Sequence, residues 1–210
     1  FVNPIQFGEG EDLNDYPRDL EADSKLSESL GADIIFNPEA SEMYINKKTF
    51  VDIEGLSDNL CGAKRPGHFR GVCTVCTKLF NIVSPDRAYF GQKDAQQLAI
   101  IKKMVLDLNI PIEIISCPIV REEDSLAMSS RNTYLNEEER KAALCLSKAI
   151  FEGEKMTEII RAEKLAKIDY ISAVDLETIE DVKTFDQDTL VAIAVFIGKT
   201  RLIDNFIHRV

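Results

Sequence analysis

The sequence of 210 residues has no apolar run of the roughly 20 residues that a membrane-spanning helix requires. Its longest apolar stretches, such as Leu190 to Ile197, are only strand-sized. No signal peptide is evident. Basic residues are scarce: 25 Lys and Arg stand against 36 Asp and Glu, for a net charge of -11. That balance excludes a general nucleic-acid binder, which needs a broad basic surface, so any polyphosphate must be met by a local cluster. A disulfide framework is also missing. The five cysteines, Cys61, Cys73, Cys76, Cys117 and Cys145, are odd in number and lack framework spacing, which implies a reduced, cytoplasmic protein. Cys73 and Cys76 match C-x-x-C, but no second pair completes a zinc site and Cys76 falls on an apolar helix face, so they read as buried, inert thiols. There are only two histidines, His68 and His208, and the latter has no evident partner. Internal repeats and low-complexity tracts are absent.

What is present is a globular composition, 45% hydrophobic and 29% charged, sufficient for a sizeable core. The opening Phe1-Val2-Asn3-Pro4 reads as the tail of a β-strand, which points to sequence upstream. A helix is expected over Arg18 to Leu30, with Leu20, Leu26 and Leu30 as its apolar contacts and Gly31 as its stop. Asp33 to Phe36 reads as a buried strand and Thr49 to Ile53 as a second. Phe69 to Val83 carries Val72, Val75, Cys76, Leu79, Phe80 and Val83 at helical spacing, and Ser84-Pro85 ends it. Arg87 to Phe90 is a strand. Asp94 caps the next helix with Gln97 three residues on, and Leu98, Ile101, Val105 and Leu108 form its buried stripe. Ile112 to Ile115 is a further strand.

This alternation predicts an α/β fold with a parallel sheet covered by helices on both faces. Beyond Ile119 the pattern changes. A polar loop spans Val120 to Thr133, and a helix runs from Asn136, with Glu139 at the capping-box position, to about Phe151. Ile168 to Val174, Leu190 to Ile197 and Leu202 to Ile207 read as strands, an α+β unit. Two domains are expected, 1–119 and 120–210.

Four strings could carry chemistry. Gly91-Gln92-Lys93-Asp94, followed by Gln97, lies at a strand-to-helix junction, where parallel sheets bind ligands and helix N-termini favour anions. Gly91 permits close backbone approach and Lys93 can neutralise phosphate, although a capped helix with an exposed lysine fits the spacing equally. Met128-Ser129-Ser130-Arg131-Asn132 places two hydroxyls beside a guanidinium, a compact anion receptor or an ordinary polar loop. Arg65-Pro66-Gly67-His68-Phe69-Arg70 fits anion binding, an interface, or a turn into the helix. Gln6 is either a substrate-binding amide or a turn residue.

Taken in order, six strings resemble the pantothenate synthetase (pantoate–β-alanine ligase) family. They are 1–8, Tyr16 to Asp19, Arg65 to Val72, Tyr89 to Gln97, Leu126 to Asn132 and Ala194 to Asn205. The resemblance runs from Phe1 to about Ile207. It implies a Rossmann-like nucleotidyltransferase domain with a smaller α+β C-terminal lid domain, usually in a homodimer. It also implies condensation of pantoate with β-alanine through a pantoyl adenylate, releasing pyrophosphate and AMP, with ATP as substrate and Mg2+ as its ion. By matching position, Gly91, Gln92, Lys93 and Asp94 line the ATP site, with Lys93 on the phosphates. Val120 contacts adenine, and Met128, Ser129, Ser130 and Arg131 form a phosphate loop related to the KMSKS motif of class I aminoacyl-tRNA synthetases. Gln6 and Gln97 hold pantoate, and Gln6 also borders β-alanine. Arg65 and His68 sit near the site or the dimer contact.

Departures from the family pattern shape a further expectation. No H-x-G-H string occurs, and neither His68 nor His208 can replace it by spacing. The segment 151–167 is short for the family. The acidic pair after Arg18 is only partly present, since Ala22 precedes Asp23, so magnesium is expected to rest mainly on phosphate oxygens and water. The chain is therefore expected to be an N-terminally truncated fragment with impaired activity. The competing readings are a non-catalytic nucleotide-binding or dimerisation scaffold and another adenylate-forming enzyme.

Overall fold

A computed structural model describes residues 1–210. Seven α-helices and five β-strands follow in chain order: α1 (Leu20–Ser29), α2 (Ala40–Met43), α3 (Leu60–Lys64), α4 (His68–Val83), β1 (Arg87–Gly91), α5 (Ala95–Asp107), β2 (Glu113–Cys117), α6 (Glu137–Glu152), α7 (Met156–Ala162), β3 (Ala166–Asp175), β4 (Thr189–Ile197) and β5 (Thr200–His208). Short 3-10 turns cover Pro4–Gln6, Gln92–Asp94, Ser130–Tyr134 and Gly153–Lys155. No helix is long and apolar enough to cross a membrane.

The α/β fold expected from the sequence is present. β1 and β2 pair in parallel, with Tyr89 opposite Ile115, and α5 makes the crossover between them. Helices α4 and α5 bury Phe69, Val72, Cys73, Phe80, Ile100, Ile101 and Met104 together, with Ala88, Phe90 and Ile114 of the strands packed on them. The periodicity of α4 is realised at Val72, Val75, Cys76 and Phe80, which are buried, but Val83, the last residue of the helix, is exposed; Ser84 ends the helix in the left-handed region at φ 48. The second unit is the antiparallel sheet β3-β4-β5, with Val191 opposite Phe206. Helix α6 covers it through Ala143, Leu146, Ala149 and Ile150 against Ile193, Val195 and Ile197. The capping box at Asn136 is formed, its side chain accepting from Glu138 and Glu139 N–H while Glu139 accepts from Asn136 N–H. A third apolar cluster, with Leu60 and Ala95 against Val174, Ile179, Leu190 and Ala192, joins the first half of the chain to the sheet.

Several sequence expectations are corrected. Residues 1–3 form no strand; the chain turns at Pro4–Gln6 instead. Asp33 to Phe36 and Thr49 to Ile53 form no strands, because a strand requires a neighbour to pair its backbone and neither segment has one. Ile34 is 86% exposed rather than buried. Helix α1 forms as expected, but Leu20, Leu26 and Leu30 point to solvent, since no element covers that face. Leu108 is exposed because it lies one residue past the end of α5. The parallel sheet has two strands, and its apolar packing is against α4 and α5. Helices α2, α3 and α7 were too short for periodicity to reveal.

Candidate active site

A cleft opens where the β1–α5 junction, the loop before α6, the start of α4 and the sheet meet. Its lining includes Lys93, Asp94, Gln97, Ser129, Arg131, Arg65 and His68. Two strings far apart in sequence, 91–97 and 128–131, thus converge. The geometry at 91–97 differs from simple capping: Asp94 makes no side-chain cap bond, and Gln92–Asp94 is a 3-10 turn. Asp94 lies 3.7 Å from the Lys93 ammonium. Gly91 ends β1 in extended conformation with open space about its Cα, so nothing obstructs approach to its backbone. The Gln92 side chain is outside the cleft lining and donates to Asn205, a lining residue, at 3.3 Å.

In the second string, the Ser129 hydroxyl accepts from the N–H of Arg131 at 3.3 Å and caps the turn there. Ser130 and Met128 are outside the cleft lining, as is Val120. Val120 and Met128 are nevertheless tied together: the Met128 N–H donates to the Val120 carbonyl at 2.9 Å, closing a small hairpin. The Arg131 guanidinium is not free. It forks onto Asp12, with Nε and Nη2 at 2.8 and 2.7 Å from the two carboxylate oxygens. Those hydrogen bonds hold the Asp12 carboxyl below its ordinary range. Asp12 was not visible as a site residue in the sequence, since one acidic residue in an acidic loop gives no signal.

Arg65 and His68 have a defined arrangement. Arg65 pairs with Glu11 through Nε at 2.8 Å and through Nη2. Its Nη1 donates to Nε2 of His68 at 3.0 Å, and Nδ1 of His68 lies 2.8 Å from the Gln6 carbonyl. A carbonyl accepts and an arginine donates, so His68 must be the neutral Nδ1–H tautomer. Burial first, and then the Arg65 charge, pull His68 down to about 4, so the ring stays neutral at physiological pH. Burial alone would raise Glu11, but the Arg65 bonds and charge outweigh it and hold the carboxyl below its usual value.

Gln6 lies beside this cluster rather than in the cleft lining. Its side-chain oxygen accepts from Asn3 at 3.1 Å, and Asn3 also donates to the Gly71 carbonyl at 3.2 Å. The Tyr44 hydroxyl donates to the remaining Asn3 oxygen at 2.6 Å. The Gln6 carboxamide is thereby oriented with its NH2 group left to other partners. Gly71 makes this possible. A Cβ there would lie 2.3 Å from the Ile5 carbonyl oxygen and 2.6 Å from Gln6 Cα, so only glycine lets α4 touch this turn.

The far wall carries residues for which the sequence offered no role. Gln96 is buried and bonds Leu56 and Asn59 carbonyls at 2.8 Å and the Cys61 N–H at 2.9 Å. A register shift in β3 between Ile168 and Tyr170 frees Asp169 to accept from Arg201 at 3.0 Å. Arg201 also lies 3.6 Å from the Cys61 sulfur, which meets the Tyr170 hydroxyl at 3.2 Å. Every cation in the cleft is therefore already matched by a carboxylate, the Lys93–Asp94 pair being the loosest. Cys73 and Cys76 lie elsewhere, within the α4 core, where burial pushes both thiols up to about 12. His208 is exposed, but it does have a partner, the Phe185 ring, edge-on at 5.4 Å.

A family model described as pantoate-beta-alanine ligase matches residues 1–207. The chain belongs to the pantoate–β-alanine ligase family. It is 60% identical to the pantothenate synthetase of Clostridium botulinum (strain Loch Maree / Type A3), over 98% of this chain and 79% of that protein. Identity to the pantothenate synthetase of Ruminiclostridium cellulolyticum is 59%, with the same coverage. The structure is similar to that of the pantothenate synthetase of Thermus thermophilus, with a TM-score of 0.94 at 43% identity, covering 98% of this chain and 80% of the other. It is also similar, at a TM-score of 0.84 and 34% identity, to the Francisella tularensis pantoate-beta-alanine ligase complexed with beta-gamma ATP and β-alanine, covering 98% and 76%. The chain is thus a ligase of pantothenate biosynthesis, and the α/β fold is that of pantothenate synthetase, a nucleotidyltransferase-like domain plus a C-terminal domain.

Proposed function

We propose that this cleft binds ATP, pantoate and β-alanine and joins the two acids through an acyl adenylate. The observation that carries the reading is the convergence of Lys93, Asp94 and Gln97 with Ser129 and Arg131 in one cleft. Gly91, Gln92, Lys93 and Asp94 form one side of the ATP site, and Val120, Met128, Ser129, Ser130 and Arg131 the other. Gln97 holds pantoate, with Gln6 approaching from the turn held by Asn3. Gln6 also borders β-alanine. A pantoate carboxylate oxygen attacks the α-phosphorus, and the bond to the bridging oxygen breaks to release pyrophosphate. The β-alanine nitrogen then attacks the acyl carbon, loses a proton, and AMP departs. Both steps depend chiefly on positioning and charge neutralisation, which Lys93 and Ser129 supply directly. Arg131 joins them when phosphate competes with Asp12 for its fork. His68, being neutral and fully engaged, acts as a positioning group for the Gln6 backbone.

Magnesium fits as an ion that arrives with ATP. No three metal-ligating side chains converge in the chain, and Mg2+ characteristically keeps water and phosphate oxygens around one or two carboxylates. Asp94, half exposed in the cleft, is the carboxylate open to it. The two-domain division at 119/120, a homodimer and a cytoplasmic location complete the proposal. Titration calorimetry tests it. Lys93→Ala should weaken ATP at least tenfold and Gln97→Ala should weaken pantoate while leaving ATP within twofold. Equal ATP affinity for the wild type and Lys93→Ala would refute the phosphate assignment.

A further inference from the structure

Two adjacent residues of β5, Asp204 and Asn205, are almost fully buried polar groups, 1% and 3% exposed. Burying such groups is costly unless they are fully bonded, and here the bonds lead to the two loops assigned to ATP. The Asn205 side-chain NH2 donates to the carbonyls of Gln92 at 3.0 Å and Lys93 at 2.9 Å. Its oxygen accepts from the Gln92 side chain at 3.3 Å. Asp204 accepts both arms of Arg121, at 2.7 and 3.0 Å, and the Asn205 N–H at 2.8 Å. Arg121 in turn donates to the Ser125 carbonyl at 3.1 Å and forms the bridge to Ala127, so it sets the hairpin that leads into Met128 to Arg131.

Successive side chains of a strand leave opposite faces. One edge strand therefore holds the Gln92–Lys93 turn with one residue and the 120–128 hairpin with the next. The turn itself has little else to fix it. It is a three-residue 3-10 segment without a side-chain cap, and its carbonyls are the groups that decide where the Lys93 ammonium points. A primary amide is suited to this task because its two N–H groups reach two carbonyls at once while its oxygen takes the Gln92 amide.

We infer that Asn205 is a positioning residue for Lys93, and that the Asp204–Asn205 pair sets the spacing between the two phosphate-binding loops. This rests on the reading of Lys93 as the phosphate ligand. Asn205 borders the cleft, but its side-chain amide is spent on Gln92 and Lys93. It acts through the Gln92–Lys93 backbone, and Asp204 acts through Arg121.

The test is a double-mutant cycle on turnover with saturating pantoate and β-alanine, varying ATP. Asn205→Ala should lower kcat/KM for ATP by about 10- to 100-fold, with pantoate affinity unchanged. Asn205→Asp keeps the volume and the acceptor but loses both donors, and should fall in the same range, so the result does not depend on a cavity. Val105→Ala, in the last turn of α5 and so at the far end of that helix from the Gln92–Lys93 turn, should lower the melting temperature without this kinetic effect. In a Lys93→Ala background, the loss from either Asn205 substitution should shrink to less than about threefold, the coupling expected of residues acting as one unit. If Lys93→Ala is impaired and the Asn205 losses multiply in full, the positioning role is wrong while the phosphate role of Lys93 survives. If Lys93→Ala turns over normally, both fall.

Discussion

Replacing Gly71 by alanine should damage pantoate use far more than folding. The added Cβ would sit 2.3 Å from the Ile5 carbonyl oxygen, 2.6 Å from Gln6 Cα and 2.7 Å from Gln6 N. Carbon contacts are comfortable at about 3.5 Å or more, so the turn at Pro4–Gln6 must retreat by roughly 1 Å. All the nearest atoms are backbone, so no side-chain rotation relieves the clash. Alanine in a helix gains up to about 1 kcal/mol over glycine, whereas overpacking costs about 1–3 kcal/mol, leaving a modest net destabilisation. The catalytic loss is larger, because a displacement of about 1 Å in a substrate-holding group is worth on the order of 100-fold in rate. Steady-state kinetics with pantoate varied, a melting curve and ATP calorimetry form the assay. We expect kcat/KM for pantoate to fall about 100-fold while ATP affinity stays within twofold, since Lys93 and Ser129 stand on other elements. Unchanged kcat/KM for pantoate in a folded Gly71→Ala protein would refute the reasoning about Gln6.

Three further outcomes follow from the same geometry. His68 has an ordinary value of 6.5 and a folded value of about 4, so the unfolded chain binds more protons between those limits. Its contribution is present above pH 6.5 and is lost as pH falls towards 4, a total of roughly 3 kcal/mol. His68→Gln should flatten that part of the unfolding free energy against pH, and an unaltered slope would show that the ring is not held neutral. Asp12→Asn frees the Arg131 fork and removes a negative charge beside it, so ATP should bind about three- to tenfold more tightly at low salt, by calorimetry. Weaker binding would show that Asp12 serves the bound state. Burial pushes the thiols of Cys73 and Cys76 up to about 12. Iodoacetamide at about pH 8 should label these two only after denaturation, as read by peptide mass spectrometry, and rapid labelling of the native protein would contradict their burial.

Long periodic elements were legible from sequence because burial follows spacing. Helix α4, the capped start of α6 and all three strands of the antiparallel sheet are examples. Asp33 to Phe36 and Thr49 to Ile53 misled for the same reason: β-branched and aromatic residues mark a strand only where a partner edge exists, and partnership is not a local property. The site was partly legible. Lys93, Gln97, Ser129 and Arg131 do meet in one cleft, yet the sequence could not show that Arg131 is claimed by Asp12, 119 residues away. Nor could it assign Asn3, Gln96 or Asn205. Amides give no signal by type, and their function lies in which carbonyls they reach.

The central claim is tested most directly by AMP release from the protein expressed from its complete coding sequence, supplied with ATP, magnesium and pantoate, with and without β-alanine. The account predicts multiple turnovers only when β-alanine is present, with one AMP and one pantothenate formed per ATP consumed, and a strong loss with Lys93→Ala. Folded protein that binds ATP but forms no AMP under either condition, or forms it without pantoate, would contradict the account.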